Sequence, residues 1–386
     1  MKRCFSKLAT LWVLLLGTSF SALAQRYAVI HEFSSTSQPD GAAPYGGLIA
    51  SGGTIYGTTT YGGKSGYGCI FKFTRKGNVY SVIKDFAGTD GANPTGELAE
   101  DGDTLYGTTS TGGDSNDGVI FKVKTDGTGY TVLKHFYGSD GWSPTGGLVV
   151  SEGTIYGTAA YGGDGYYGVI FRINTNGTDY TVLKHFNGED GAYPYSGLIL
   201  SGNTLYGTTG AGGWREFGSG WADGEVFKIN TAGTDFTVLK TFTGNDGAGP
   251  MKLTLSKNTL FGTTESGGKY GLGIVFRMKT DGTGYDTLRE FSGGKDGARP
   301  NGGLILLGNF LFGTTRSGGN PADPTYGNGV VFALNTQGRY FLKLKNFNNV
   351  ARANPWSGLV FSGNTFYGAT LDGGLTGNGT LYTLKF

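Results

Sequence analysis

Asp40, Asp90, Asp140, Asp190, Asp246 and Asp296 recur along the chain, each directly before a glycine. Regularly spaced carboxylates could gather a cation. Each of these stands alone, however, whereas Ca2+ takes six or more oxygens from runs of the Asp-x-Asp-x-Asp type. Turn chemistry accounts for them better. Asp-Gly favours a turn, the carboxylate accepts backbone N–H bonds, and Pro44, Pro94, Pro144, Pro194, Pro250, Pro300 and Pro355 then stiffen the next extended segment. No metal site is expected. His31, His135 and His185 fall in separate copies of one extended segment, so they do not gather on one metal or one nucleophile. No catalytic triad or zinc-ligand spacing is visible. Glycine pairs such as Gly62-Gly63 lack the strand-to-helix setting of a phosphate loop, and no cofactor is expected.

Aromatic rings carry a second kind of chemistry. Trp142 and Trp356, with Tyr45, Tyr193 and Tyr195, lie in the connections that lead from one repeat into the next. Trp214, Arg215, Phe217 and Trp221 lie in an insertion spanning 210–224, and Tyr326, with Pro321 and Pro324, in another spanning 316–329. An exposed aromatic platform holds a sugar ring or anchors a protein. Trp214, Trp221, Arg215, Tyr326, Trp142 and Trp356 are therefore the candidate ligand-binding residues. The competing account is that these rings fill gaps between repeats. Arg215, Glu216, Asp223 and Arg352 would instead suit a polysaccharide lyase or hydrolase, which carboxylates paired at glycosidase separation would favour.

The elements that position these residues are repeated. Tyr56, Tyr106, Tyr156, Tyr206, Phe261, Phe312 and Tyr367 each precede Gly-Thr or Gly-Ala, at spacings of 50, 50, 50, 55, 51 and 55 residues. A unit of that size cannot bury its apolar faces alone. Each unit holds four short β-type runs, in the third copy 147–150, 154–159, 169–174 and 180–186, with Thr-Asp-Gly or Thr-Asn-Gly joining the last two as a tight hairpin. The third run carries adjacent apolar residues, as in Ile120-Phe121, so both faces are covered and the sheets must stack in series as propeller blades do. The long connections then emerge on one face, which carries the insertions and the tryptophans.

The seventh unit reaches Phe386 after its third run, and Tyr27 to Phe33 matches the missing fourth. Pairing of that segment with Thr380 to Lys385 would close the ring and leave no open edge. The expectation is an all-β, seven-bladed β-propeller of four-stranded antiparallel blades, closed by the N-terminal strand joining the last blade and forming one domain over 25–386.

The run Leu105-Tyr106-Gly107-Thr108-Thr109, Gly112-Gly113, Gly118 to Lys122 and Phe136 to Pro144 resembles the GloVer-type (Gloeobacter/Verrucomicrobia) tandem repeat of exported bacterial proteins. The likeness covers about residues 27 to 386. It implies a propeller-like fold and export, often with a surface-sorting tail, and brings no assigned reaction or catalytic residue. This chain departs from the pattern by ending at Phe386 directly after a strand, and by carrying Ala351-Arg352 where sister units have Asp-Gly.

Residues 1–24 read as a signal peptide. Lys2, Arg3 and Lys7 precede an apolar stretch around Leu8 to Leu16, and Ala22-Leu23-Ala24 gives the small-x-small cleavage pattern. Export to the periplasm, the cell surface or the medium is expected. No stretch approaches the roughly 18 apolar residues of a transmembrane span. Cys69 is then alone, in the place of Val119, Val169 and Ile274, which suits an apolar filler. The net charge of +2 comes with no basic stripe, so nucleic acid is not an expected partner. The function that fits is a monomeric, non-enzymatic binding or scaffold module for a glycan or a protein at the cell surface. A polysaccharide-active enzyme with its site on the long-loop face is the alternative.

Overall fold

The computed structural model describes residues 26–34, 40–213, 223–320, 322, 327–347 and 353–385. Residues 1–24, expected to be a signal peptide, and Trp214, Arg215, Glu216, Phe217, Trp221, Pro321, Pro324, Tyr326, Ala351 and Arg352 lie outside these residues. The described residues form seven antiparallel sheets, one per repeat. Blade 3 shows the plan, from the inner to the outer strand: Val149–Ser151, Thr154–Ala159, Val169–Asn174 and Thr181–His185. Blade 5 carries an additional short strand, Ala248–Pro250.

Burial explains the repeat motif. In blade 1, Cys69, Ile70 and Phe71 on the third strand are fully buried, so both sheet faces are covered as expected. Gly157, in the Tyr-Gly-Thr motif, pairs with Phe171 across the sheet. A β-carbon on Gly157 would stand 2.6 Å from Phe171 Cζ and 2.7 Å from Leu148 Cδ2, so the phenylalanine ring occupies the space a side chain would need.

The apolar clusters lie between blades, not within them. One joins Tyr56, Ile70 and Phe86 of blade 1 to Leu98, Leu105 and Phe121 of blade 2. Phe86, at the end of the outer strand, meets Phe121 edge-on at 5.4 Å, and the same contact recurs as Phe136 with Phe171 and Phe242 with Phe276. Burying one such ring contributes roughly 1.5–3 kcal/mol.

A polar latch parallels the rings. Asp90 accepts the Ala87 N–H at 2.7 Å through one carboxylate oxygen and pairs with Lys84 at 2.5 Å through the other. Its carbonyl accepts the Tyr130 hydroxyl of blade 2 at 2.5 Å, while Lys84 sits 4.4 Å from the centre of the Tyr130 ring. The carboxylates thus accept backbone N–H bonds as expected, and the carbonyls of Asp40, Asp90, Asp140 and Asp246 also tie two blades together through the hydroxyls of Tyr80, Tyr130, Tyr180 and Tyr285. His135 and His185 accept loop N–H groups, those of Asp114 and Asp164, both at 3.1 Å.

Two local details differ from the expected strands. The outer strand carries a bulge in every blade, for example opposite Ile170 and Phe171, which raises its twist. In the third-to-fourth-strand turn of blade 3 Gly177 is left-handed, at φ 91°, as is Asp179 further on, at φ 56°, while Asn176 is not. Gly177 N–H bonds to the Asn174 carbonyl, giving a type I turn with a glycine bulge instead of a two-residue hairpin.

The ring closes through Arg26–Glu32, which pairs antiparallel with Thr380–Lys385 in blade 7. Phe33 N–H bonds to the Gly379 carbonyl, and the Phe33 ring lies 5.4 Å from Phe71 of blade 1. At this seam His31 stands where other blades have lysine or, in blade 5, Arg289. Its Nε2 lies 2.8 Å from Asp40, and its ring stacks on Tyr80 at 3.6 Å.

Glu225 is the exception in the third strands. It replaces the buried Cys69, Val119, Val169 and Ile274 of its sisters and is 1% exposed. One of its oxygens accepts the Thr241 hydroxyl at 3.1 Å; the other has no hydrogen-bond partner among the described residues. Burial pushes its carboxyl from 4.5 up to about 7, against the Thr241 hydrogen bond and helped by the charge of Asp190.

Two outcomes follow for stability. Removing residues 26–33 leaves the Thr380–Lys385 edge unpaired. Light scattering should show self-association, with a lowered unfolding temperature, whereas a monomer of unchanged stability would contradict closure by this strand. Glu225 has a folded pKa above its unfolded value, so the folded state keeps the proton longer and stability falls as pH rises from about 4.5 to about 7. Glu225→Gln removes that titration. Denaturant midpoints should show the variant gaining on the native protein by roughly 2 kcal/mol between these pH values, and a constant difference would refute the assignment.

Candidate functional site

Strands alternate in direction, so the connections between second and third strands and those from one blade to the next share one face. Among the described residues, Tyr61, Tyr67, Tyr137, Trp142, Tyr166, Tyr195 and Tyr270 are exposed there; Tyr340 is the one exposed aromatic ring away from it.

Two of these, Trp142 and Tyr195, form a continuous patch on blades 3 and 4 with the partly buried Tyr161 and Tyr193. The segment after Asp140-Gly141 extends the sheet by pairing Trp142 with Tyr161, through N–H···O bonds of 2.9 and 3.1 Å, and this brings their rings to 5.2 Å. Tyr161 lies 5.3 Å from Tyr193 and 6.0 Å from Tyr195, and its hydroxyl meets that of Tyr195 at 2.8 Å. Trp142 is 41% and Tyr195 42% exposed, so one edge of the patch is packed and the other is open. Burial first, then the Tyr161 hydrogen bond and the nearby Tyr193 and Tyr45 phenols, raise the pKa of Tyr195.

Trp356 belongs to a second group, at the junction of blades 6, 7 and 1. Its ring lies 4.7 Å from Tyr45, and the Arg316 guanidinium sits 4.5 Å from its centre while bonding Glu265 at 2.8 Å. Burial and the Glu265 charge push Tyr45 up to about 12, with Arg316 and the Trp356 side chain opposing. Trp356 is half-buried, engaged by Tyr45 and Arg316. Of the six candidate residues, the described ones are thus Trp142, which is exposed, and Trp356, which is packed; Trp214, Trp221, Arg215 and Tyr326 lie outside the described residues.

The channel mouth joins Tyr45, Tyr195 and Trp356 to Thr95, Thr145 and Asn301, which motif reading overlooked. Tyr45, Thr95, Thr145, Tyr195, Asn301 and Trp356 each follow the blade's proline, and blade 5 lacks this position because Pro250 and Leu253 are one residue closer than their counterparts. Immediately inward the chain carries glycine in most blades, because neighbouring backbones crowd there: a β-carbon on Gly96 would lie 2.8 Å from the Gly146 carbonyl oxygen. Glu97 and Lys252 replace the second glycine in blades 2 and 5, and they form an ion pair. The available signal was a charged residue standing in a column of glycines.

The hairpin face offers a groove of about 650 Å³ between blades 5 and 6, lined by Lys257, Arg277 and Gln337 among others. Arg277 donates to the Thr336 carbonyl at 3.1 Å, as Lys72 does to Thr125 and Lys122 to Thr175, so this groove is a repeated joint between blades. No group of three or more potential metal-ligating side chains occurs among the described residues, and no described helix is long and apolar enough to cross a membrane.

Solved structures share the architecture at low identity. An oligogalacturonate lyase in complex with manganese is 12% identical, with a TM-score of 0.59 over 94% of this chain and 96% of that one. An oligogalacturonate lyase from Vibrio parahaemolyticus is 10% identical, with a TM-score of 0.57 and the same coverage. The extracellular domain of a one-component system from B. thetaiotaomicron is 12% identical, with a TM-score of 0.57 over 94% of this chain and 42% of that one. Likeness at this level shows the fold alone. No curated protein matches the chain. The Gloeobacter/Verrucomicrobia repeat matches residues 16–222 and 213–386, and with the seven repeated blades in view the chain belongs to that family.

Proposed function

We propose that this protein is an exported, non-enzymatic binding module that holds a glycan on its loop face. The observation that carries this reading is the open patch of Trp142, Tyr161, Tyr193 and Tyr195, whose rings are fixed by one another and by backbone pairing. A sugar ring presents C–H groups on one face and hydroxyls at its rim. A preorganised aromatic surface edged by phenols suits both, and rigid rings lose little entropy on binding. The signal-peptide pattern of residues 1–24 supports placement outside the cytoplasm, where glycans are abundant. Propellers of this architecture include a lyase and an extracellular domain, so the preference for binding over catalysis rests on the aromatic surface and not on the fold.

The test starts with a glycan array to find a ligand and continues by calorimetry. Trp142→Ala and Tyr195→Ala should each weaken binding about tenfold, equivalent to roughly 1.4 kcal/mol. Tyr340→Ala, at an exposed ring on the other side of the molecule, should leave affinity unchanged. Full affinity in both loop-face variants would remove the site assignment, and turnover of the bound glycan would remove the non-enzymatic reading.

A further inference from the structure

Glu97 belongs to blade 2 and Lys252 to blade 5, three blades apart in a ring of seven, so their ion pair must cross the central axis. A β-carbon on Gly47 would stand 3.0 Å from the Glu97 side chain and one on Gly147 3.2 Å from it, while Gly303 lies equally close, at 3.1 Å, to Lys252. The other five blades carry glycine at this level: Gly47, Gly147, Gly197, Gly303 and Gly358. Among the described residues the pair is the side-chain matter that the seven blades place at this level, and it spans the axis beneath the mouth.

The fold does not require it. Five blades manage with glycine, and the pair is water-accessible, with 39% of the Lys252 side chain and 27% of the Glu97 side chain exposed. An ion pair in such a setting is worth only about 0–1 kcal/mol. Above it stand Tyr45, Tyr195 and Trp356, with Thr95 and Thr145 at the equivalent positions of blades 2 and 3 and the buried Asn301 at that of blade 6. The mouth is thus a blind funnel with aromatic and hydroxyl-bearing walls and one acceptor and one donor at its floor.

We propose that this funnel is a subsite for the terminal unit of a neutral glycan, with Glu97 and Lys252 binding two adjacent hydroxyls of that unit. The inference rests on the glycan-binding reading of the loop face. A carboxylate only accepts and an ammonium only donates, whereas each sugar hydroxyl does both, so two neighbouring hydroxyls satisfy the pair without displacing either charge. The walls receive the C–H face of the ring. A closed floor admits a chain end and excludes a chain running through. Among the described residues, Glu97 with Lys252 and Glu265 with Arg316 form two ion pairs near the mouth, and their balance favours a neutral sugar over an acidic one.

The experiment compares neutral hexose oligosaccharides, two to six units long by design (~2–6, as the length of a short chain end), with uronic-acid oligosaccharides of the same length. Calorimetry and thermal unfolding are run on the native protein, on Glu97→Gln/Lys252→Met and on the charge reversal Glu97→Lys/Lys252→Glu. Neutral chains should bind the native protein. The neutralised variant should lose about tenfold or more in affinity with little change in Tm, and the reversed pair, which still presents one acceptor and one donor, should keep Tm and regain part of that affinity. Affinity and Tm falling together in the neutralised variant make the pair a strut and overturn the proposal, as does tighter binding of the acidic chains. Loss of binding in Trp142→Ala with full affinity in both axial variants overturns this subsite alone. Unchanged binding in all of them overturns the loop-face reading as well.

Discussion

Each blade buries a phenylalanine ring in the next one, and the rest of the molecule follows from that dependence. Phe86 meets Phe121, Phe136 meets Phe171, and the series continues to Phe33 against Phe71 at the seam. Because the apolar clusters span two blades, a single blade has no core of its own. An open row of such units would expose one unmatched aromatic face at each end. Closure supplies the missing partner to both ends at once, and the pairing of Arg26–Glu32 with Thr380–Lys385 makes that closure a backbone ladder as well as a packing contact.

Most of this was legible because it recurs. The positions of Gly157, Phe171 and Asp140 repeat in other blades, and a repeated residue reports a repeated constraint. The outer-strand match of Tyr27 to Phe33 revealed the seam for the same reason. The second role of the aspartates was harder to foresee. Backbone capping is local to Asp90, but its contact with Tyr130 lies 40 residues away, and that spacing gains meaning only once successive blades are stacked. The bulge in the outer strands and the extra strand of blade 5 were likewise invisible, since each depends on register across a sheet and not on residue type.

The candidate site was less legible, for the converse reason. Function in a near-symmetric ring resides in what is not repeated, and a single deviation carries no pattern. Tryptophans stood out by type alone, yet type did not separate Trp142, which is open, from Trp356, which Tyr45 and Arg316 engage. The residues after the prolines converge on the axis only through the sevenfold arrangement, so tyrosines 150 positions apart, Tyr45 and Tyr195, come near enough for one phenol to influence the other.

The same contrast separates the two kinds of ion pair. The pairing of Lys84 with Asp90 recurs as Lys134 with Asp140, Lys184 with Asp190 and Lys240 with Asp246, each lysine lying over an aromatic ring of the following blade. Its repetition marks it as part of the joint, and at the seam His31 keeps the geometry with a different base. Glu97 with Lys252 has no sister. It joins blades that are not neighbours, in a column where glycine suffices elsewhere, and it leaves both side chains partly hydrated. An interaction that the joint does not use, placed where the walls are most varied, is better understood as contact surface for something that enters the mouth.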